Sequence, residues 1–140
     1  MNIDGVKTGI VLDHIKAGKS MTIYKLLRLD KIDNTVAIIQ NATSSKYGRK
    51  DIIKIDQLID LDFNVLGYVD SNITVNIVED GKLVRKKHLE LPETLDNVII
   101  CKNPRCITSV EQEITHSFRL TDRENKIYRC VYCDAEHKVK

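Results

Sequence analysis

The 140-residue sequence predicts an α+β chain in two parts, and three observations carry that reading. Up to residue 92, hydrophobic periodicity alternates between strand and helix in the order β-α-β-β-α-β-β. Beyond it the periodic segments are short, and all four cysteines lie there: Cys101, Cys106, Cys130 and Cys133. Between the two parts sits Leu91-Pro92-Glu93, where the proline ring fixes φ and stiffens the join. The expected domains are therefore 1–92 and 93–140.

Residues 6–15 carry β-branched side chains and alternate around Ile10 and Leu12, which predicts a strand. Gly18 breaks it, and Ser20 is the expected N-cap of a helix reaching about Leu29. Met21, Tyr24 and Leu27, with Ile23 and Leu26, give that helix its spacing. Asp33-Asn34 is a turn signal, and residues 35–42, rich in Val and Ile, predict a strand. A loop through Ser44, Ser45, Lys46, Tyr47 and Gly48 leads to a strand over 50–55, and 57–68 reads as a short helix. Residues 73–78 and 82–88 are strands around Glu79-Asp80-Gly81, a hairpin signal because glycine takes positive φ without a Cβ clash.

This order predicts a ferredoxin-like antiparallel sheet with two helices packed on one face and one added strand. The C-terminal part predicts short strands at 97–100, 113–120, 126–129 and 136–139. It is too small to be stable on hydrophobic burial alone.

The cysteines supply the staple. They fall as Cys-x4-Cys, then 23 intervening residues, then Cys-x2-Cys. Two knuckles, each donating a close pair of thiolates, build a tetrahedral all-sulfur site. Zinc suits it, and four protein ligands leave no open coordination position, so the site is structural and takes one zinc ion per chain. Iron in a rubredoxin-like shell is the chemical alternative. Structural zinc binds with roughly 10–16 kcal/mol, more than the stability of so small a part, so the metal is expected to be required for folding. The small all-β domain is then a zinc ribbon, with His116 and His137 read as surface or structural residues.

A stand-alone zinc-ribbon nucleic-acid-binding protein is the second reading. The last 48 residues carry eight basic and eight acidic side chains, so four thiolates and one zinc dication make them net acidic. Arg119, Arg123, Lys126 and Arg129 are interleaved with Asp122 and Glu124. Nucleic-acid binding calls for an accumulated positive face, so this reading ranks behind the first.

Elsewhere the composition excludes more than it selects. A hydrophobic content of 42% supports one ordinary domain plus a stapled one, and a net charge of +2 gives no polybasic signature. No run approaches the roughly 20 apolar residues of a membrane span, and the first residues lack signal-peptide character. A soluble cytoplasmic protein is the expectation.

Lys50 and Lys54, four apart, face one side of a strand, and Lys86 and His88 share a face of another. A phosphate-bearing ligand needs such cations converging from several strands. On the residues alone, solvated strand-edge lysines remain the simpler reading, and Asp13-His14 reads as a turn pair. Gly18-Lys19-Ser20 lacks the upstream glycine of a P-loop. No nucleophile–base signature points to catalysis. Asp13-His14 is the one acid–base pair worth naming, and neighbours on a strand point to opposite faces.

Taken in order, the motifs resemble the aspartate carbamoyltransferase regulatory chain family. They are Gly9-Ile10-Val11-Leu12-Asp13-His14-Ile15, Gly48-Arg49-Lys50-Asp51-Ile52-Ile53-Lys54-Ile55, Thr74-Val75-Asn76, and Leu91-Pro92-Glu93 with Asp96-Asn97-Val98. Cys101-Lys102-Asn103-Pro104-Arg105-Cys106 and Cys130-Val131-Tyr132-Cys133 complete the set. The resemblance runs from about Ile3 to Val139.

The resemblance implies a non-catalytic subunit with a nucleotide-binding allosteric domain and a zinc domain that contacts the catalytic chain. It implies effectors of the CTP, UTP and ATP class and a role in tuning pyrimidine biosynthesis. It also implies regulatory homodimers within a dodecamer of six catalytic and six regulatory chains. By motif match, His14 and Lys86 would meet phosphates, Lys54 the ribose and base, and Asp13 the sugar side. Val6, Ile52, Asn76, Val78 and Leu83 would line the pocket, with Lys7, Lys50 and His88 at its margin. The chain departs at His88, where family members often carry Arg, and in a short spacer over 57–71.

Overall fold

The computed structural model describes residues 6–45 and 48–139. Lys46 and Tyr47, in the predicted loop, lie outside the described residues. The chain divides into two compact units between Glu90 and Leu91.

The first unit runs β1 (Gly9–Lys16), α1 (Ser20–Leu26), a 3-10 turn (Leu29–Lys31), β2 (Val36–Ser44), β3 (Gly48–Ile55), α2 (Phe63–Val69), β4 (Thr74–Glu79) and β5 (Lys82–His88). The sheet order is β2-β3-β1-β4-β5, with every neighbouring pair antiparallel. This is the ferredoxin-like arrangement, with β5 added at one edge.

Alternation along the strands sorts two clusters onto the two faces. Ile10, Leu12, Ile53, Ile55 and Val75 pack with Ile23 of α1, Leu66 of α2, and Leu29. Val11, Ile52 and Val78 face the other way and cluster with Val6. No α1 or α2 residue joins this second cluster among the described residues, so the helices cover one face only.

Two β-bulges flank β3 at the same level. Leu12 pairs with Ile53 and Ile15 with Asp51, so β1 carries one extra residue. Ile39 pairs with Ile52 and Ala42 with Lys50, so β2 does likewise. His14 (φ 60°) and Asn41 (φ 59°) take the left-handed conformation that the extra residues require.

Asp51 sits between the bulges, completely buried. Its carboxylate accepts from the N–H groups of Gly18 (3.0 Å), Ser20 (3.2 Å) and Asn41 (2.9 Å). Burial alone would raise its pKa. The Asn41 N–H, the Ser20 hydroxyl and N–H, and the Gly18 N–H together outweigh burial and hold the carboxyl below its ordinary value.

Asp51 also corrects the expected helix start. Ser20 makes no side-chain cap and is the first residue of α1, and Asp51 takes its N–H from across the sheet. The helix ends at Leu26 rather than near Leu29, because Arg28 at φ 53° turns the chain into the 3-10 turn. The second helix starts later than expected, at Phe63. Its cap is Asp62, whose side chain accepts from Asn64 N (3.0 Å) and Val65 N (3.2 Å). The β4–β5 connection has Asp80 at φ 51° and Gly81 at φ 77°, as the Asp-Gly signal predicts.

The second unit holds β6 (Thr94–Asp96), α3 (Ile107–Val110), β7 (Ser117–Asp122), β8 (Ile127–Cys130) and β9 (Glu136–Lys138). They form an antiparallel sheet in the order β6-β7-β8-β9, with α3 a short helix that the sequence did not foretell. The strand expected at 97–100 is instead Thr94–Asp96, because Leu95 is the buried residue that pairs with Phe118. Asn97 at φ 60° then ends the strand. Tyr128, fully buried, donates its hydroxyl to the Pro92 carbonyl at 2.5 Å. Arg123 donates to the Leu91 carbonyl at 2.9 Å, so Leu91 and Pro92 are tied into this unit.

Candidate functional site

The four cysteines converge. Cys106 precedes α3, Cys130 ends β8, Cys101 lies in the irregular segment between β6 and α3, and Cys133 lies in the turn after β8. Their Sγ atoms all lie within 4.8 Å of one another, three of the residues being buried and Cys133 half-buried. Cys101 and Cys133 are 3.6 Å apart at sulfur, and Cys106 and Cys130 are 3.7 Å apart. A tetrahedral zinc shell with Zn–S of about 2.3 Å has sulfur–sulfur edges of about 3.8 Å, so the donor set fits that ion.

Both knuckles are preformed by the main chain. In the first, Asn103 accepts from Cys106 N at its carbonyl (3.0 Å) and from Arg105 N at its side chain (3.1 Å). In the second, Asp134 N donates to the Cys130 carbonyl (2.9 Å), with Asp134 at φ 65°.

The thiols do not ionise alike. Burial pushes Cys101 up to about 12, while the Thr108 hydroxyl leads the groups that bring Cys106 down to about 6. Cys101, Cys106, Cys130 and Cys133 would hold a dication as four thiolates, and the ion would cross-link the two knuckles. His116 and His137 stay outside this shell. His116 Nδ1 accepts from Cys101 N at 3.1 Å, and the His137 ring meets Phe118 edge-on at 6.3 Å.

The helix-free face of the first unit gathers polar residues in rows. Lys54 pairs with Val11, Val11 with Asn76, and Asn76 with Lys86, which places the four in line across β3, β1, β4 and β5. Lys54 and Asn76 are each only 8% exposed, whereas Lys86 is exposed. The next row joins Asp13, Thr74 and His88. Lys50 Nζ lies 2.9 Å from Asp13 Oδ1. Burial opposes ionisation of Asp13, but the Lys50 bond, the His14 N–H and the charges of His14 and Lys50 lower its pKa.

The expectation that Asp13 and His14 point to opposite faces fails at the bulge. His14 N donates to Asp13 Oδ1 at 2.6 Å, and its ring Nδ1 lies 3.2 Å from Thr74 Oγ1, a residue on the Asp13 row. His14 also lines a cleft of about 470 Å³ with Lys16, Ala17, Gly48, Arg49, Asp70 and Asn72.

Of the other expected pocket residues, Val6, Ile52 and Val78 are buried in the cluster on this face. Leu83 pairs with Val78 and is exposed. Lys7 precedes β1, its carbonyl accepting from Gly81 N at 2.7 Å. Sequence reasoning missed Thr74 and Asp51. The signal for Asp51 was a charged residue at a core-facing position between Lys50 and Ile52, in step with Ile53 and Ile55.

A ferredoxin-like sheet with cations on its helix-free face, followed by a small unit built around a four-thiol centre, defines a two-unit metal-binding chain. Residues 1–90 match the aspartate carbamoyltransferase regulatory chain allosteric domain, and residues 93–140 match the metal-binding domain of the same chain. The sequence is 52% identical over 134 residues to the aspartate carbamoyltransferase regulatory chain of Clostridium botulinum strain Hall, covering 96% of this chain and 92% of the relative. It is 51% identical over 140 residues to that of Clostridium tetani, covering 99% and 97%. It is 44% identical over 139 residues to that of Bifidobacterium longum, covering 99% and 100%.

The chain belongs to the aspartate carbamoyltransferase regulatory chain family and is a non-catalytic subunit. The stand-alone nucleic-acid-binding reading does not describe a chain that matches this family in both of its parts. No helix among the described residues is long and apolar enough to cross a membrane.

Proposed function

We propose that the first 92 residues bind a nucleoside triphosphate on the helix-free sheet face and that residues 93–140 hold the catalytic chain. The row of Lys54, Val11, Asn76 and Lys86 carries this reading, because it sets two cations and an amide around an apolar floor. Lys86 and His14 take the phosphates, Lys54 the ribose and base, and Asp13 the sugar side. Val6, Ile52, Val78 and Leu83 supply apolar lining, with Lys7, Lys50 and His88 at the margin.

Two catalytic states of different substrate affinity would feel the nucleotide only through unequal binding to each. Coupling of about 1–3 kcal/mol suffices to bias such an assembly. The catalytic chain is met near Asn103, Arg105 and Asp134, on knuckle turns whose shape the metal sets, which lowers the ordering cost of an interface.

Regulatory chains pair through the first unit, within a cytoplasmic dodecamer of six catalytic and six regulatory chains. The sheet edges support the pairing. β5 carries Lys82, Arg85, Lys86 and Lys87, whereas β2 has no charged residue along VAIIQNATS and is open to strand addition.

The test is calorimetric titration of the full chain with CTP, UTP and ATP, alone and with the catalytic chain. Binding weakened by Lys54→Met and Lys86→Ala supports the face. Unchanged affinity in both variants would move the nucleotide elsewhere.

A further inference from the structure

We infer that the Thr108 hydroxyl is a positioning group of the metal centre, donating to the Cys106 thiolate and slowing that sulfur's release of zinc. Thr108 is 3% exposed and, beside the Tyr128 hydroxyl and the cysteine thiols, is the one buried polar side chain among the described residues of the second unit. Its Oγ1 lies 3.1 Å from Cys106 Sγ. A metal-bound thiolate has no proton, so the hydroxyl must be the donor.

Burying a hydroxyl where an isosteric valine would fit is unfavourable unless the hydroxyl gains a strong partner, and a thiolate is one. The need is specific to this site. Four thiolates and one zinc dication leave a net charge of −2 in a unit whose eight basic and eight acidic side chains otherwise cancel. Donors around the shell spread that charge and fix the sulfur lone pairs toward the metal. The Thr108 main-chain N–H also reaches the same sulfur, so a side-chain substitution removes one donor and leaves the other in place.

The experiment follows zinc transfer from the full-length, zinc-loaded chain to an excess of a chromophoric chelator, for wild type, Thr108→Val, Thr108→Ser and Thr108→Ala. The cobalt(II)-substituted proteins give a second readout through the sulfur-to-metal charge-transfer band. Val and Ala are expected to release zinc about tenfold faster than wild type and Ser. Their charge-transfer bands should move to longer wavelength, since a thiolate without the donated proton is easier to oxidise. A Val variant with wild-type rate and an unmoved band overturns the inference. Should the Val variant fail to fold, the Ser and Ala pair decides: both lose the methyl group and differ only in the hydroxyl, so equal rates overturn it as well.

Discussion

Lys50 Nζ and Asp13 Oδ1 meet at 2.9 Å on the helix-free face of the sheet, at the bulge that His14 imposes on β1. The side chains are 11% and 18% exposed, so this is a largely desolvated pair. Removing one partner leaves a buried charge uncompensated. Asp13→Asn is expected to cost about 1–3 kcal/mol in urea unfolding. The folded-state pKa of Asp13 is lowered, so its contribution is present above the unfolded carboxyl value of about 3.9 and is lost as pH falls through the folded value. Wild type and Asp13→Asn should therefore converge in strong acid, and a gap that persists there would assign the loss to packing.

Lys86→Ala is expected to weaken nucleoside triphosphate binding about tenfold or more, the worth of one charge-assisted phosphate contact, without lowering the melting temperature. Lys86 is exposed on the edge strand, so no packing is lost with it. Calorimetry with unchanged affinity would reduce it to a solvated lysine.

His14 gives a pH signature. An imidazolium donates to phosphate and a neutral ring does so less well, so triphosphate affinity should fall as pH rises from about 6 to 8. His14→Gln should flatten that profile. A wild-type profile that is already flat removes His14 from the phosphates.

Cys130→Ser, or stripping zinc with a chelator, should unfold the second unit and abolish assembly with the catalytic chain, while the first unit still binds nucleotide. Size-exclusion chromatography and calorimetry on the same sample read the two losses separately. Assembly that survives metal removal would place the catalytic-chain contact on the first unit. Nucleotide binding lost together with zinc would mean that the two units fold as one.

The ferredoxin-like order and the metal ligands were legible in the sequence for one reason: each follows from spacing along a single segment. Alternation gave β1, β3 and β4, and two close cysteine pairs gave the knuckles. What escaped depends on partners distant in sequence. Nothing within β1 alone indicates that β3 offers two residues where β1 offers three, so the bulge and the reorientation of His14 were hidden. Ile15 reaches the core only through that extra residue. The late start of α2 was readable, since Asp62 stands where an N-cap belongs, but the apolar run before it masked the signal. The strand at Thr94–Asp96 was displaced in the reading because Val98, Ile99 and Ile100 look more strand-like than Leu95 and its neighbours.

Asp51→Asn is expected to destabilise the first unit by about 1–3 kcal/mol, because an amide cannot accept at both ends from the three N–H groups that meet the carboxylate. Its folded pKa is lowered too, so this contribution is present above about pH 3.9 and lost as pH falls through the folded value. Hydrogen exchange at Gly18, Ser20 and Asn41 should quicken together in the variant. Unaltered exchange at Asn41 would detach the β2 bulge from this carboxylate.

Three donors to Asp51 are main-chain N–H groups, which every residue but proline supplies, and the Ser20 hydroxyl adds a fourth. The requirement is thus written unevenly along the gene. A saturation scan should find position 51 nearly immutable. Position 20 should be limited by its hydroxyl donor and by the space around its buried side chain, and positions 18 and 41 only by their positive φ angles of 96° and 59°. The geometry of a loop, a helix start and a strand bulge would be inherited through a single codon.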